Sequence, residues 1–273
     1  MKNRILIFTD LDGTLLDHET YSFEAARPAL LRLRAEGIPL LICSSKTRAE
    51  VEVVRTALGN RDPFIVENGG AVVVPDGYFR QKLPSARKGS EYHVIEFGTP
   101  YARLLQVFGQ IRERFPGKLK GFGNLSAKDV AELTGLPAED ATLAKKREYD
   151  EPFLLEDPAL LKAIRDIASA AGLSVTQGGR FFHLTGDNDK GKAVRLLQTI
   201  YEEEVHRPLK SIGLGDSAND LPLLEAVNLP VLVQKPGGRY DPSIRLENLY
   251  YAPGEGPVGW GAAVLDLVER LAG

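Results

Sequence analysis

The sequence predicts a doubly wound α/β fold, in which a parallel sheet carries helices on both faces and an α+β segment is inserted between its two halves. Apolar strand-like runs and amphipathic helix-like runs alternate over the first 70 residues and again after residue 190. This alternation is typical of parallel sheets. Between residues 84 and 186 the pattern becomes less regular, which favours a separate inserted domain.

The first half begins with an apolar, β-branched run at residues 4–9 that ends before the turn residues Asp12 and Gly13, as expected of a buried strand. Residues 23–36 carry Ala and Leu at helical spacing and stop at Gly37, the residue best suited to a left-handed helix cap. The remaining elements predicted here are a strand at residues 38–43, a helix at 48–58 and a strand at 64–66.

The second half continues the same alternation. It is predicted to contain helices at residues 192–203, 220–226 and 261–271 and strands at 210–215 and 230–233. The inserted segment contains a predicted strand at 93–97 and helices at 101–114 and 158–171. We therefore predict a core domain of residues 1–83 and 187–273 and an inserted cap domain of residues 84–186.

Composition excludes several classes of protein. Lys and Arg number 34 against 37 Asp and Glu, a net charge of −3, so the chain lacks the basic surplus of nucleic-acid-binding proteins. The single cysteine, Cys43, lies in an apolar run and predicts a buried thiol. The apolar stretch before Asp10 is too short for a signal peptide or membrane span. We expect a soluble, cytoplasmic protein that acts on a small molecule, without a nucleic-acid or membrane partner.

Asp10 and Asp12 follow the first predicted strand and are separated by one residue. Side chains alternate along a strand, so both carboxylates point to the same side, roughly 6–7 Å apart. One carboxylate can then attack phosphorus as a nucleophile while the other protonates the leaving oxygen. Asp-Gly is also a common turn, and two acids at a strand end can simply be solvated.

Other polar residues follow the neighbouring predicted strands. Ser44 ends the second strand, Lys190 begins the helix after the insertion, and Asp216 follows a later strand. The carboxyl ends of parallel strands meet at one sheet edge, where ligands bind. A hydroxyl and an ammonium can hold phosphate oxygens, while Asp216 and Asp10 can form an oxygen-rich site for Mg²⁺. Taken singly, Ser44 could be a turn residue and Lys190 a solvated lysine.

Four ordered stretches resemble the motifs of the haloacid dehalogenase superfamily, whose cores are Rossmann-like. They are residues 8–16, Ser44, residues 190–191 and residues 215–220. The resemblance implies that Asp10 is the nucleophile and that Asp12 is the general acid and base. It also implies that the backbone carbonyl of Asp12 is a ligand of Mg²⁺. It also implies that Asp216 is a metal ligand, and that Asp220 and Asn219 orient the lysine or metal-bound water. The insertion resembles the second type of cap in this superfamily.

A finer resemblance is to the mannosyl-3-phosphoglycerate phosphatases. It is carried by residues 44–47, 64–71, 178–184 and 215–221 and extends over most of the chain. It implies a substrate whose phosphate sits on a glycerate joined to mannose, and mannosylglycerate, a compatible solute, as product. At Asp150 the sequence departs from the family pattern, which leaves the role of that position open.

Such a substrate needs cations and hydrogen-bond donors beyond the sheet edge. Arg180 follows two glycines, where close backbone approach and a bidentate guanidinium can hold a carboxylate. Each candidate also has a plainer interpretation as a turn, core-edge or solvent-exposed residue. The candidate substrate-binding residues are Lys46, Asn68, Arg147, Arg180, His183 and Lys235.

Proteins of other classes share some of these sequence features with a hydrolase. A receiver module also uses a phosphorylated aspartate, a hydroxyl residue and a lysine, but is near half this length and lacks a counterpart of Asp12. A catalytically inactive protein that only binds sugar phosphates is disfavoured, because the residues needed for catalysis are all present. They are Asp10, Asp12, Lys190 and Asp216. Hydrolysis of glucosyl-3-phosphoglycerate or another sugar phosphate, and phosphosugar mutase activity, stay open.

Overall fold

A computed structural model describes residues 5–178 and 180–272 and confirms the predicted fold class. Its largest sheet has five strands, and each pairs with its neighbours in parallel. In spatial order these strands are Tyr250–Glu255 (β13), Leu229–Gln234 (β12), Lys210–Gly215 (β11), Ile5–Thr9 (β1) and Leu40–Ile42 (β2).

Helices cover both faces of this sheet because its strands are apolar on both sides. In β1, Ile5 and Ile7 belong to one hydrophobic cluster and Leu6 and Phe8 to another, as the alternation of side chains requires. The first cluster includes residues of the helices Arg27–Glu36 (α1), Arg48–Leu58 (α2) and Gly256–Ala272 (α9). The second includes residues of Lys190–Val205 (α7) and Leu221–Glu225 (α8).

The helix ends follow local sequence signals. Gly37 ends α1 with φ of 63°, as predicted. Thr47 begins α2 through a capping box, in which its hydroxyl accepts from the Glu50 amide and the Glu50 carboxylate accepts from the Thr47 amide. The helix expected from residue 23 starts as a 3-10 turn at Glu24–Ala26 before α1 begins. No helix of the described residues is long and apolar enough to cross a membrane.

A four-stranded antiparallel sheet extends the parallel one, since Cys43 bridges to Ile65 in parallel. Its strands are Phe64–Val66 (β3), Ala71–Pro75 (β4), Arg87–Lys88 (β5) and Tyr92–Glu96 (β6), in the order β3-β4-β6-β5. The predicted domain boundary at residue 84 stays a prediction. Because β5 and β6 join a sheet that begins before that boundary, we propose that the cap starts nearer residue 99.

The remainder of the insertion builds its own sheet and core. The sheet has the order β7-β8-β10-β9 and packs on α3 and α6 through an apolar cluster that includes Phe108 and Phe153. The elements are Tyr101–Arg114 (α3), Leu119–Gly121 (β7), Ala127–Thr134 (α4), Ala138–Ala144 (α5), Asp150–Leu155 (β8), Leu161–Ala170 (α6), Ser174–Gly178 (β9) and Phe181–Thr185 (β10).

Candidate active site

The candidate site lies where the strands β1, β2 and β11 end side by side. Thr9 is in register with Ile42 of β2 and Leu214 of β11. The Asp10 amide donates to the Leu214 carbonyl at 2.9 Å, and the Cys43 amide donates to the Thr9 carbonyl at 2.8 Å. The residues that follow these strands therefore meet at one edge, as the sequence predicts.

Three buried carboxylates converge at this edge. Asp10, Asp216 and Asp220 each place an oxygen within 4.8 Å of the others. The Lys190 side chain is fully buried between them, with Nζ 2.7 Å from Asp10 Oδ1 and 2.6 Å from Asp220 Oδ1. We call these four residues the acid cluster.

The charges in the acid cluster perturb one another strongly. Burial, and then the charge of Asp220, raise the pKa of Asp10 well above its usual value, although Lys190 opposes this. The same two causes raise the pKa of Asp216 to about 7. Burial by itself would lower the pKa of Lys190, but Asp10 and Asp220 raise it. Lys190 thus pairs with Asp10 and Asp220, while the cation that acts most strongly on Asp216 is Lys235.

The donor set fits a hard divalent cation beside Asp10 and Asp216. Asp220 is already engaged, because its second oxygen accepts from the backbone amides of Asp216 and Ser217 at 3.0 and 3.1 Å. Gly13 has φ of +73°, and a Cβ there would lie 3.3 Å from Asp216 Oδ2, so glycine leaves that carboxylate room. Oxygen ligands and uncompensated negative charge are what Mg²⁺ requires.

Asp12 lies apart from the acid cluster and faces another partner. Its Oδ2 is 2.9 Å from Lys46 Nζ, and that ammonium also lies 3.8 Å from Glu50. Burial opposes the charge on Lys46, but Asp12 and Glu50 raise its pKa. Asp12 Oδ1 is buried and has no hydrogen-bond partner among the residues that the structure describes. The Asp12 side chain as a whole is 39% exposed and lines the cavity described below.

A cavity of about 610 Å³ opens above these groups, between the core and the inserted segment. The structure brings most of the predicted site residues to its surface. Ser44, Lys190, Asn68 and Asp220 are instead buried behind it. The predicted residues that line the cavity are Asp10, Asp12, Lys46, Arg147, Arg180, His183, Asp216, Asn219 and Lys235.

The side of the cavity formed by the inserted segment, here called the cap wall, holds Arg147, Arg180 and His183. The Arg147 guanidinium donates to the Ser45 carbonyl of the core at 2.8 Å. Arg180 donates to the Thr134 carbonyl at 2.7 Å. His183 Nδ1 lies 2.8 Å from Asp150 Oδ2. These three side chains are therefore held by carbonyl oxygens or by a buried acid.

The loop of residues 67–69 joins the acid cluster to the inserted segment. Glu67, with φ of 48°, accepts from the backbone amides of Glu148 and Tyr149 at 2.9 and 2.8 Å. Burial raises its pKa to about 8. Asn68 donates to Asp150 at 3.0 Å. Gly69 packs so closely on the Asp189 carbonyl, next to Lys190, that no side chain fits.

Sequence reasoning missed three residues of this region. Asp150 is fully buried and contacts both Asn68 and His183, yet its departure from the family pattern left its role open. Glu67 stands beside Asn68 in a segment quoted only for the family resemblance. Tyr21 lines the cavity from a loop after β1, and no periodicity marks it. An acid directly after an apolar strand was the one available signal, and it applied to Glu67.

Comparisons with known proteins agree with this geometry. Residues 7–90 match the haloacid dehalogenase-like hydrolase family model. A "Glucosyl-3-phosphoglycerate/mannosyl-3-phosphoglycerate phosphatase" of Methanococcoides burtonii is 52% identical over 97% of both chains. A protein of the same name from Persephonella marina is 40% identical over 98% of both. A crystal structure of a Thermoplasma acidophilum protein matches 99% of both chains with a TM-score of 0.69 at 17% identity, which supports the fold.

Proposed function

The chain belongs to the glucosyl-3-phosphoglycerate/mannosyl-3-phosphoglycerate phosphatases, within the haloacid dehalogenase-like hydrolases, and we propose that it hydrolyses both of these esters in a Mg²⁺-dependent reaction. It is a phosphatase. The names of its relatives favour these two substrates. The cavity, with cations on several sides, is suited to a substrate that carries both a phosphate and a carboxylate.

The observation that carries the proposal is the setting of Asp10. Its carboxylate lies at the cavity floor, is held by Lys190 at 2.7 Å, and stands beside Asp216. A carboxylate in this position can attack an incoming phosphoryl group. The Lys190 ammonium can stabilise the negative charge that develops on the phosphoryl group in the transition state.

In the first step, an Asp10 oxygen forms a bond to phosphorus and the bond from phosphorus to the glycerate oxygen breaks. Asp12 delivers its proton to that departing oxygen, which leaves as the alcohol. The product on the enzyme is an aspartyl phosphate. Asp12 is suited to this task because its partly exposed side chain lines the cavity.

In the second step, Asp12 takes a proton from a water molecule as the water oxygen bonds to phosphorus. The bond between the Asp10 oxygen and phosphorus breaks, which releases phosphate and restores both carboxyl groups. Lys190 stays paired with Asp10 and Asp220, so it keeps the nucleophile in place through both steps. The Ser44 hydroxyl and Lys190 are the groups we assign to the phosphate oxygens.

Asp10 and Asp216, with the backbone carbonyl of Asp12, would hold Mg²⁺. Bound there, the ion would neutralise charge on the transferring phosphoryl group. Asp220 orders this arrangement, since it accepts from the Asp216 amide and pairs with Lys190. Asn219 lines the cavity next to these groups. Lys46, Arg180 and Lys235 are the cations we assign to the glycerate carboxylate.

A phosphate-release assay over a substrate panel tests the proposal. The panel contains glucosyl-3-phosphoglycerate, mannosyl-3-phosphoglycerate, 3-phosphoglycerate and hexose 6-phosphates, each with Mg²⁺ and with a chelator. We expect the two glycosyl esters to have the highest kcat/KM and the chelator to stop turnover. Preference for the hexose phosphates would contradict the substrate assignment, and turnover that survives the chelator would contradict the metal requirement.

A further inference from the structure

Tyr21 presents an aromatic ring at the rim of the cavity. It belongs to the loop between β1 and α1, lines the cavity, and is 43% exposed. Among large apolar residues such exposure needs an explanation only when the residue borders a site. Tyr21 meets that condition, because the groups that face it are those of the proposed reaction.

The backbone at Tyr21 is held in an unfavourable conformation. Its φ is 55°, in the left-handed region that bulky side chains avoid. Asp17 maintains this turn, since its carbonyl accepts from the Tyr21 amide at 3.0 Å and its carboxylate accepts from the Thr20 amide at 2.8 Å. A strained residue held by its surroundings is a reason to look for a function.

The ring lies beside Lys46, the partner of Asp12. Lys46 Nζ lies 5.3 Å from the ring centroid, and the same ammonium pairs with Asp12. Burial, and then the charge of Asp12, raise the pKa of Tyr21, while Lys46 and Arg180 act in the opposite direction. Tyr21 is therefore within electrostatic range of both the core cation and a cation of the cap wall.

We propose that Tyr21 is a specificity-determining residue whose ring stacks on the hexose of the substrate. The inference rests on the proposed function. With the phosphoryl group at Asp10 and the carboxylate near Lys46, the glycosyl group is the part of the substrate that remains to be held. A pyranose presents a face of C–H groups that packs on an aromatic ring.

This contact also accounts for the acceptance of two sugars. Glucose and mannose differ only in the direction of the hydroxyl at C2. A stacking contact depends on the area of the ring faces and does not require a hydrogen bond to that hydroxyl. Tyr21 then contributes to the binding of both esters to a similar degree and does not discriminate between them.

The test compares Tyr21→Gly with Tyr21→Phe. Glycine accepts the positive φ, so it removes the ring without straining the loop. We expect Y21G to raise KM for both glycosyl esters roughly tenfold, which corresponds to about 1.4 kcal/mol. The inhibition constant of 3-phosphoglycerate, which has no sugar, should change less than about twofold. Y21F should behave as the wild type, because it keeps the ring.

Tyr251→Ala is the matched control, since Tyr251 is 54% exposed and belongs to β13. It should leave all of these constants unchanged. Equal losses for the glycosyl esters and for 3-phosphoglycerate would mean that Tyr21 merely supports Lys46, and would overturn the proposal. A KM increase confined to one of the two sugars would also overturn it. Wild-type protein that released phosphate from neither glycosyl ester would instead refute the proposed function, and the inference with it.

Discussion

The acid cluster, through Asp10 and Asp216, and the cap wall face the same cavity, but the two regions are built differently. In the acid cluster, charged side chains pair directly with one another, and Lys190 and Asp220 have no exposed side-chain surface. On the cap wall, Arg180 donates to a backbone carbonyl and is exposed. The acid cluster is therefore a fixed arrangement of charge suited to one chemical step. A substitution of an exposed cap-wall side chain such as Arg180 should therefore affect substrate binding more than the chemical step.

Loss of the nucleophile should give the largest effect. Asp10→Asn keeps the size of the side chain but cannot form an acyl phosphate, so kcat should fall by at least about 10⁴-fold. Folding should survive, because burial and Asp220 disfavour the charge that is removed. Kinetics and thermal unfolding measure the two outcomes.

Asp62→Asn is the matched control for this change. Asp62 is a partly buried carboxylate that does not line the cavity, and it accepts from the Tyr78 hydroxyl at 2.7 Å and the Leu40 amide at 2.9 Å. Activity of D62N should stay within about twofold of wild type. Equal activity of D10N and wild type would show that the acid cluster is no more important for catalysis than other carboxylates of the protein.

Glu67, where the two regions meet, should control the pH dependence of stability. Its pKa is about 8 in the folded protein against an ordinary value of 4.5. Between these values only the folded state keeps the proton, so wild-type stability falls as pH rises through this range. The amide of Glu67→Gln cannot ionise, so the free energy of unfolding of this variant should lack that decline.

The free energy of unfolding of E67Q, relative to wild type, should therefore increase between pH 5 and pH 9 by on the order of 1–4 kcal/mol. Denaturant unfolding at a series of pH values measures this difference. Glu139→Gln, at an exposed position of α5, controls for the loss of a surface charge. Parallel pH profiles for E67Q and wild type would show that Glu67 does not couple the regions by titration.

A change on the cap wall should have the smallest effect. Arg180→Ala removes a cation that we assign to the substrate carboxylate, which is present both before and during the reaction, so KM should rise roughly tenfold while kcat stays within about twofold. Arg165→Ala, at an exposed position of α6, is the matched control. A fall in kcat as large as that of D10N would mean that the cap wall takes part in the chemistry.

The sequence predicted the acid cluster better than the cap wall, for physical reasons. Asp10 and Asp216 follow apolar strands, and parallel strands bring such residues to one edge whatever their separation along the chain. Lys190 was placed by its motif, and its burial between two acids could not be read from a helix start. The position of Asp220 near Asp10 likewise depends on the turn after β11.

The cap wall depends on tertiary packing that periodicity does not report. Asp150 is buried because Asn68, from the core, reaches it across 82 positions of sequence. The helix α4 was missed although Ser126 and Asp129 form a capping box and Gly135 ends the helix, because the helix is short. Outside the cap wall, the strand β4 was also missed, because periodicity cannot distinguish a short apolar run from a buried helical segment.

Covalent trapping tests the central claim most directly. An activated ester such as p-nitrophenyl phosphate, whose leaving group needs no proton, should still phosphorylate Asp10 in Asp12→Asn, but the attack of water on the phosphorylated enzyme should be slow, because the amide cannot take the proton. After mixing Asp12→Asn with this ester and Mg²⁺ and an acid quench, mass spectrometry should find one phosphoryl group per chain, on the peptide that contains Asp10. Phosphate release by the wild type, with no phosphorylated peptide from either protein or with the phosphoryl group on another residue, would contradict the account.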